Sequence, residues 1–242
     1  MSAGGVTPRP ESDTAELRHG IDGVADAGAF LARLVRLEPA ALVRLRPTGT
    51  PGRTALWGRL PWGVLAVRTV SGPGPGAGDV TVAAGQLLAE LAAGRAGLPA
   101  RRDAQWRWPL PPAASRPVES LPGEEVRRLA EAAAGTLREA ATNGVAGRAV
   151  GQRMLRDALL DHVAVVVTPD DAADRPVEVT QRMVQGLIRM GFLGATGGSS
   201  GIDEVRVRAA GRWVALVGPY GAVWSQKATD LAVRPLDPRP KV

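Results

Sequence analysis

Apolar residues recur at helical spacing in several parts of the chain, and between them lie shorter runs in which apolar and polar positions alternate. Phe30, Leu31, Leu34 and Leu37 make one face of a stretch whose Arg33 and Arg36 turn away, which predicts a helix beginning near Asp26 and stopped by Pro39. Runs 41–46, 54–60 and 64–70 read as strands, the last two joined by a tight turn at Pro61, Trp62 and Gly63. A short strand over 80–82 and a helix over 86–93 complete the first half.

The second half opens with two amphipathic patterns. Val126, Leu129, Ala133 and Leu137 line one face of 124–141, with Glu124 and Glu125 in the first turn, where the helix dipole favours acids. Met154, Leu155, Ala158 and Leu159 line a face of 149–161. Strands are expected over 163–168 and 177–179. Thr180 is placed to cap a helix with the stripe Met183, Val184, Leu187 and Ile188, and Gly191 is placed to end it. Runs 205–208, 213–217 and 222–225 then read as strands.

Set side by side, the halves repeat. Residues 31–39 resemble 184–192, with Leu34, Val35 and Arg36 matching Leu187, Ile188 and Arg189. Val43, Arg44, Leu45 and Arg46 match Val205, Arg206, Val207 and Arg208, and Pro61, Trp62 and Gly63 match Pro219, Tyr220 and Gly221. The expected fold is therefore α+β, built of two related units, each a helix followed by a three-stranded antiparallel meander, with two extra helices opening the second half. Proline and glycine suit the first and third turn positions, so Trp62 and Tyr220 are expected to cover hairpin ends.

Composition divides the chain further. Residues 109–123, PLPPAASRPVESLPG, cannot propagate a helix or a central strand and read as an extended linker or surface strap. Domains are thus expected at 25–108 and 124–228, with flexible tails over 1–24 and 229–242. The glycine tract 72–78 is expected to be a flexible loop.

Among 242 residues, 45% hydrophobic and 22% charged, there is no cysteine, which excludes disulfides, thiolate nucleophiles and cysteine-ligated metals. His19 and His162 are the only imidazoles. Together with the lack of a long apolar run this predicts a cytoplasmic protein with no membrane partner and no metal or cofactor.

Candidate chemistry is sparse. Gly72, Gly74, Gly76 and Ala77 satisfy a dinucleotide-binding spacing, but Pro73 and Pro75 remove the amide donors a pyrophosphate needs. The tract 194–201 lacks a phosphate-binding lysine. Ser199 and Ser200 stand outside a nucleophile-elbow pattern, and His162 falls on the apolar stripe of the preceding helix, which favours a hydrogen-bonded structural histidine. Asp170, Asp171 and Asp174 lack the spacing of a calcium loop and read as a turn. No catalytic residue is assigned.

Charge is unevenly spread. The net charge is +6, yet residues 25–118 hold 12 arginines and 5 acids, whereas 122–228 hold 13 basic and 12 acidic residues. Only Lys227 and Lys241 are lysines, a skew that suggests coding bias as readily as selection for guanidinium. Arginine beside tryptophan can contact phosphate and stack on bases. The candidate nucleic-acid or partner surface is accordingly Arg44, Arg46, Arg53, Arg59, Arg101, Arg102, Trp106, Arg107 and Trp108. Trp106 and Trp108 could equally cover the core.

The expected function is that of a non-enzymatic protein acting through protein surfaces, by partner binding or self-association, in an assembly or regulatory complex. The alternative is nucleic-acid binding, through the basic first half or through a winged helix with 180–190 as recognition helix and 205–217 as wing.

Overall fold

The structure is a computed structural model and describes residues 17–76, 78–143, 152–168, 176–194 and 204–227. It is a mixed α+β arrangement with few helices and a large antiparallel sheet, and it divides into two compact units. One unit comprises residues 1–57 and 69–106, the other 58–68 and 107–242. The division passes through a hairpin rather than between the expected domains, because the hairpin tip 58–68 packs with the second unit.

In the first unit, α1 (Val24–Leu37) buries Ala27, Phe30, Leu31 and Leu34 and packs on α2 (Ala84–Ala92), which buries Ala84, Leu87 and Leu91. The strands are β1 (Leu42–Pro47), β2 (Arg53–Arg59), β3 (Leu65–Ser71) and β4 (Val80–Ala83), in the order β4-β1-β2-β3. β4 pairs antiparallel with β1, Leu42 opposite Ala83 and Leu45 opposite Val80. Along β1, fully buried Val43 and Leu45 alternate with Arg44 and Arg46, the strand period expressed as an apolar face and a charged face.

Two expectations fail in this unit. Residues 17–23 are not a loose tail: His19 N–H donates to Ala96 O at 3.0 Å, Leu98 N–H to Leu17 O at 2.7 Å, and Ile21 is buried. Nor is 72–74 a free loop. Gly74 N–H donates to Gly20 O, Gly72 N–H to Gly52 O, and the buried Thr54 hydroxyl to Gly72 O at 2.8 Å. Gly20 has φ +60°, and a Cβ there would stand 2.1 Å from Gly74 O. Gly20 and Gly72 permit backbone to touch backbone, which accounts for this part of the tract without a ligand.

The second unit contains β5 (Arg116–Pro122), α3 (Gly123–Asn143), α4 (Gln152–Asp161), β6 (Val163–Val167), β7 (Val177–Thr180), α5 (Gln181–Arg189), β8 (Glu204–Ala210), β9 (Trp213–Gly218) and β10 (Gly221–Gln226). Its sheet order is β3-β10-β9-β8-β5, with Val67 opposite Ala222 and Leu65 opposite Trp224, while β6 and β7 form a separate two-stranded ladder. α5 lies on β9 and β10 and against α3, burying Met183, Val184 and Leu187. The approach is close at Gly186, where a Cβ would meet Val64, Val223 and Leu60 at 3.2, 3.2 and 3.3 Å. In element order, α1-β1-β2-β3 and α5-β8-β9-β10 are alike.

Further differences have plain causes. The proline-rich 109–123 stretch does not remain a linker, because 116–122 pairs with β8 as a sheet edge, where Pro117 and Pro122 need no outward N–H. The 205–217 hairpin is not a wing: β8 is bonded to both β5 and β9, and β9 to both β8 and β10, so the hairpin is interior to a sheet. Thr180 does precede α5, but its hydroxyl makes no cap bond and is buried without a partner. His162 follows the end of α4, outside its stripe, and is exposed rather than structural. The 229–242 tail, Asp170, Asp171, Asp174, Ser199 and Ser200 lie outside the described residues.

Candidate nucleic-acid and partner interface

In the first unit, the pairing of β1 with β4 brings Asp79, just before β4, to the two arginines of β1. Arg44 Nε donates to Asp79 Oδ2 at 2.8 Å, and Arg46 Nε stands 3.6 Å from Oδ1. Arg44 also lies over the Trp106 ring, its Cζ 5.9 Å from the centroid. Trp106 itself is buried.

The edge of β4 is closed by the segment that carries Arg101 and Arg102. Arg102 N–H donates to Thr81 O at 2.7 Å, and Thr81 N–H donates to Asp103 Oδ1 at 2.7 Å, so a carboxylate stands in for the next carbonyl of a strand. Arg101 Nε donates to Asp103 Oδ2 at 2.7 Å. Partial desolvation pushes the Asp103 carboxyl up, but the Thr81 amide, the Arg101 guanidinium and the charge of Arg44 outweigh it and hold the group below the usual aspartate range. The Arg102 Nε is buried without a hydrogen-bond partner. Arg53 turns to its own hairpin, donating to the Ser71 hydroxyl and to Thr69 O.

The remaining predicted residues belong to the second unit. Arg59 stacks on Trp108, Cζ 3.6 Å from the ring centroid, and burial pushes its guanidinium below the ordinary arginine value. Trp108 remains 45% exposed, and Arg107 is exposed beside it in sequence. The two tryptophans therefore part company, one serving the core and the other the surface.

The same unit holds a second pair that the sequence reading overlooked. Arg68 lies over the Tyr220 ring with Cζ 5.7 Å from the centroid, and its Nη1 donates to Tyr220 O at 2.9 Å. Tyr220 is also 45% exposed, so it does not simply cover a hairpin end. The other ring of the repeated turn, Trp62, is held by α5: its Nε1 donates to Arg182 O at 3.0 Å. The repeat pointed to the two rings, but the arginines beneath and beside them come from distant chain positions.

Chemically, the first-unit arginines Arg44, Arg46 and Arg101 are matched by carboxylates, which reduces the field they offer to phosphate. The second unit instead presents aromatic rings backed by guanidinium groups. No cluster of three or more histidine or acidic side chains with metal-binding geometry occurs among the described residues, and none of their helices is long and apolar enough to cross a membrane.

Residues 110–230, half of the chain, match a family described as a domain of unknown function (DUF8185), and residues 18–108 match another so described (DUF8010). The comparison with curated proteins gives no match. Among solved structures, the chain is similar to the DNA polymerase III subunit beta of Pseudomonas aeruginosa, at 15% identity and TM-score 0.50, covering 86% of this chain and 64% of that one. It is also similar to a sliding clamp (DNA polymerase III subunit beta) of Bartonella birtlesii bound to griselimycin, at 13% identity and TM-score 0.52, covering 87% of this chain and 64% of that one. The chain thus spans less than two thirds of the length of these structures, and at this identity the likeness is one of fold.

Proposed function

The chain belongs to the family described as a domain of unknown function (DUF8185), and we propose that it is a non-enzymatic scaffold that works by binding another protein. The observation that carries this reading is the presence in one unit of two half-exposed rings, Trp108 and Tyr220, each with a guanidinium lying over it, from Arg59 and Arg68. Tryptophan, tyrosine and arginine dominate the energetics of protein interfaces. A ring already held by a guanidinium loses little freedom when a partner covers it. A fold shared with a protein named as a sliding clamp (DNA polymerase III subunit beta) adds support for a scaffold.

The experiment compares the wild-type protein with Trp108→Ala and Tyr220→Ala. Sedimentation velocity reads self-association, and pull-down followed by direct titration of the recovered protein reads partner binding. Complexes that weaken in both variants support the reading; a wild-type protein that stays monomeric and recovers no partner sinks it.

A second reading is nucleic-acid binding, favoured by the arginine excess of residues 25–118 and by the naming of the fold neighbours as the beta subunit of DNA polymerase III. Titration of labelled duplex separates it, since the slope of log K against log salt is about −0.9 per phosphate neutralised. A wild-type protein with no such binding at low salt removes it.

A further inference from the structure

We propose that the outer edge of β6 is a docking site at which an extended, uncharged, β-branched segment of a partner protein adds as a third strand to the β6–β7 ladder. The five residues of β6, Val163–Val167, are Val, Ala, Val, Val and Val, with no charge and no proline. β7 occupies one side of the strand, with Val165 opposite Val179 and Val167 opposite Val177. Among the described residues no strand pairs with the other side. Val167 is buried, whereas Val166 is 58% exposed, a large value for an aliphatic side chain.

The contrast with the other strand edges gives this its force. Folded proteins guard sheet edges with prolines, charges or covering chain, because an open edge recruits strands. The β4 edge is covered by Arg102 and Asp103, which bond both the carbonyl and the amide of Thr81. The β5 edge carries Pro117 and Pro122. In the small ladder, β7 carries Glu178. Among the described residues β6 has none of these devices.

Two considerations choose the occupant. A five-residue strand spans only about 17 Å, whereas a stable dimer buries roughly 800 Å² per partner, so pairing of two β6 edges is too small to hold two copies together. A short segment borne by a partner that also binds elsewhere needs no such area, since main-chain hydrogen bonds supply its affinity. Its residues next to Ala164 and Val166 are uncharged, because β6 offers no counter-charge. This goes beyond the scaffold reading and uses none of Trp108, Tyr220, Arg59 or Arg68, so either can fail alone.

The test uses the full chain and a fluorescein-labelled peptide of alternating valine and threonine, about six residues long, read by anisotropy. Wild type is expected to bind it, and Val166→Lys to bind about tenfold more weakly with an unchanged circular dichroism spectrum. Leu17→Lys, which alters an exposed leucine elsewhere, should bind as wild type does, and a peptide N-methylated at alternate residues should not bind at all. The proposal is overturned if wild type does not bind, if Val166→Lys binds equally well, or if the N-methylated peptide binds as tightly. It is also overturned if the peptide does not bind while sedimentation shows a dimer that Val166→Lys dissociates, since the edge then belongs to a second copy.

Discussion

Trp62 and Arg182 exchange hydrogen bonds: the indole Nε1 donates to the Arg182 carbonyl, and the Arg182 guanidinium donates to the Trp62 carbonyl, both at 3.0 Å. Arg182 also forms an ion pair with Asp161. One arginine at the start of α5 thereby ties the tip of the β2–β3 hairpin to the helix and the helix to the end of α4.

Removing either side chain deletes one of these two part-buried hydrogen bonds. Trp62→Phe and Arg182→Ala should each cost about 1 kcal/mol or more. In a double-mutant cycle the two losses should be strongly non-additive. Urea denaturation of the four proteins checks this, and simple additivity would show that the two bonds are energetically separate.

Gly186 sets the distance between α5 and the sheet. Gly186→Val improves helix chemistry little and pushes methyl groups into Val64, Val223 and Leu60, already 3.2 to 3.3 Å from an ideal Cβ. A loss of about 1–3 kcal/mol is expected from overpacking, read as a lowered Tm.

Gly20 has a more rigid neighbour. Gly20→Ala places a methyl against the Gly74 carbonyl, at a backbone angle of +60° that already disfavours alanine. The expected loss exceeds about 2 kcal/mol. Hydrogen exchange should show lost protection at the Gly74 amide, which donates to Gly20 O. Retained protection would mean that the loop moves as a unit.

Asp103 predicts a pH dependence. Its folded-state value lies below the ordinary one, so its charged form contributes stability above the unfolded pKa of about 3.9. That contribution is lost as pH falls through the depressed value. Asp103→Asn keeps an acceptor for the Thr81 amide but loses the Arg101 pair. The wild-type advantage over this variant should therefore be constant from about pH 5 to 7 and shrink in more acid solution. An advantage that grows on acidification would contradict the assignment.

Asp79 tests how the first-unit arginines are used. In Asp79→Asn the guanidinium groups of Arg44 and Arg46 lose their carboxylate. If phosphate can then reach them, duplex affinity at low salt should rise above wild type and the salt slope should steepen by up to about two. Unchanged binding would show that Arg44 is committed to Trp106 whatever its counter-ion.

Local chemistry by itself determined most of the elements of this protein, β5 excepted. The stripe Phe30, Leu31, Leu34 and the alternation of Val43, Arg44, Leu45 and Arg46 are visible because helix and strand periods are written in neighbouring residues. Tertiary structure decided which distant residues neutralise or support one another. Asp79 meets Arg44 only because β4 pairs with β1, Arg68 meets Tyr220 across 152 residues, and the proline-rich stretch becomes a strand only because β8 offers it an edge. Strand pairing is a long-range choice settled by the burial of whole faces, and no period within a single segment encodes it. The nine residues singled out as a surface were thus sorted by the fold into ion-paired, buried and exposed groups.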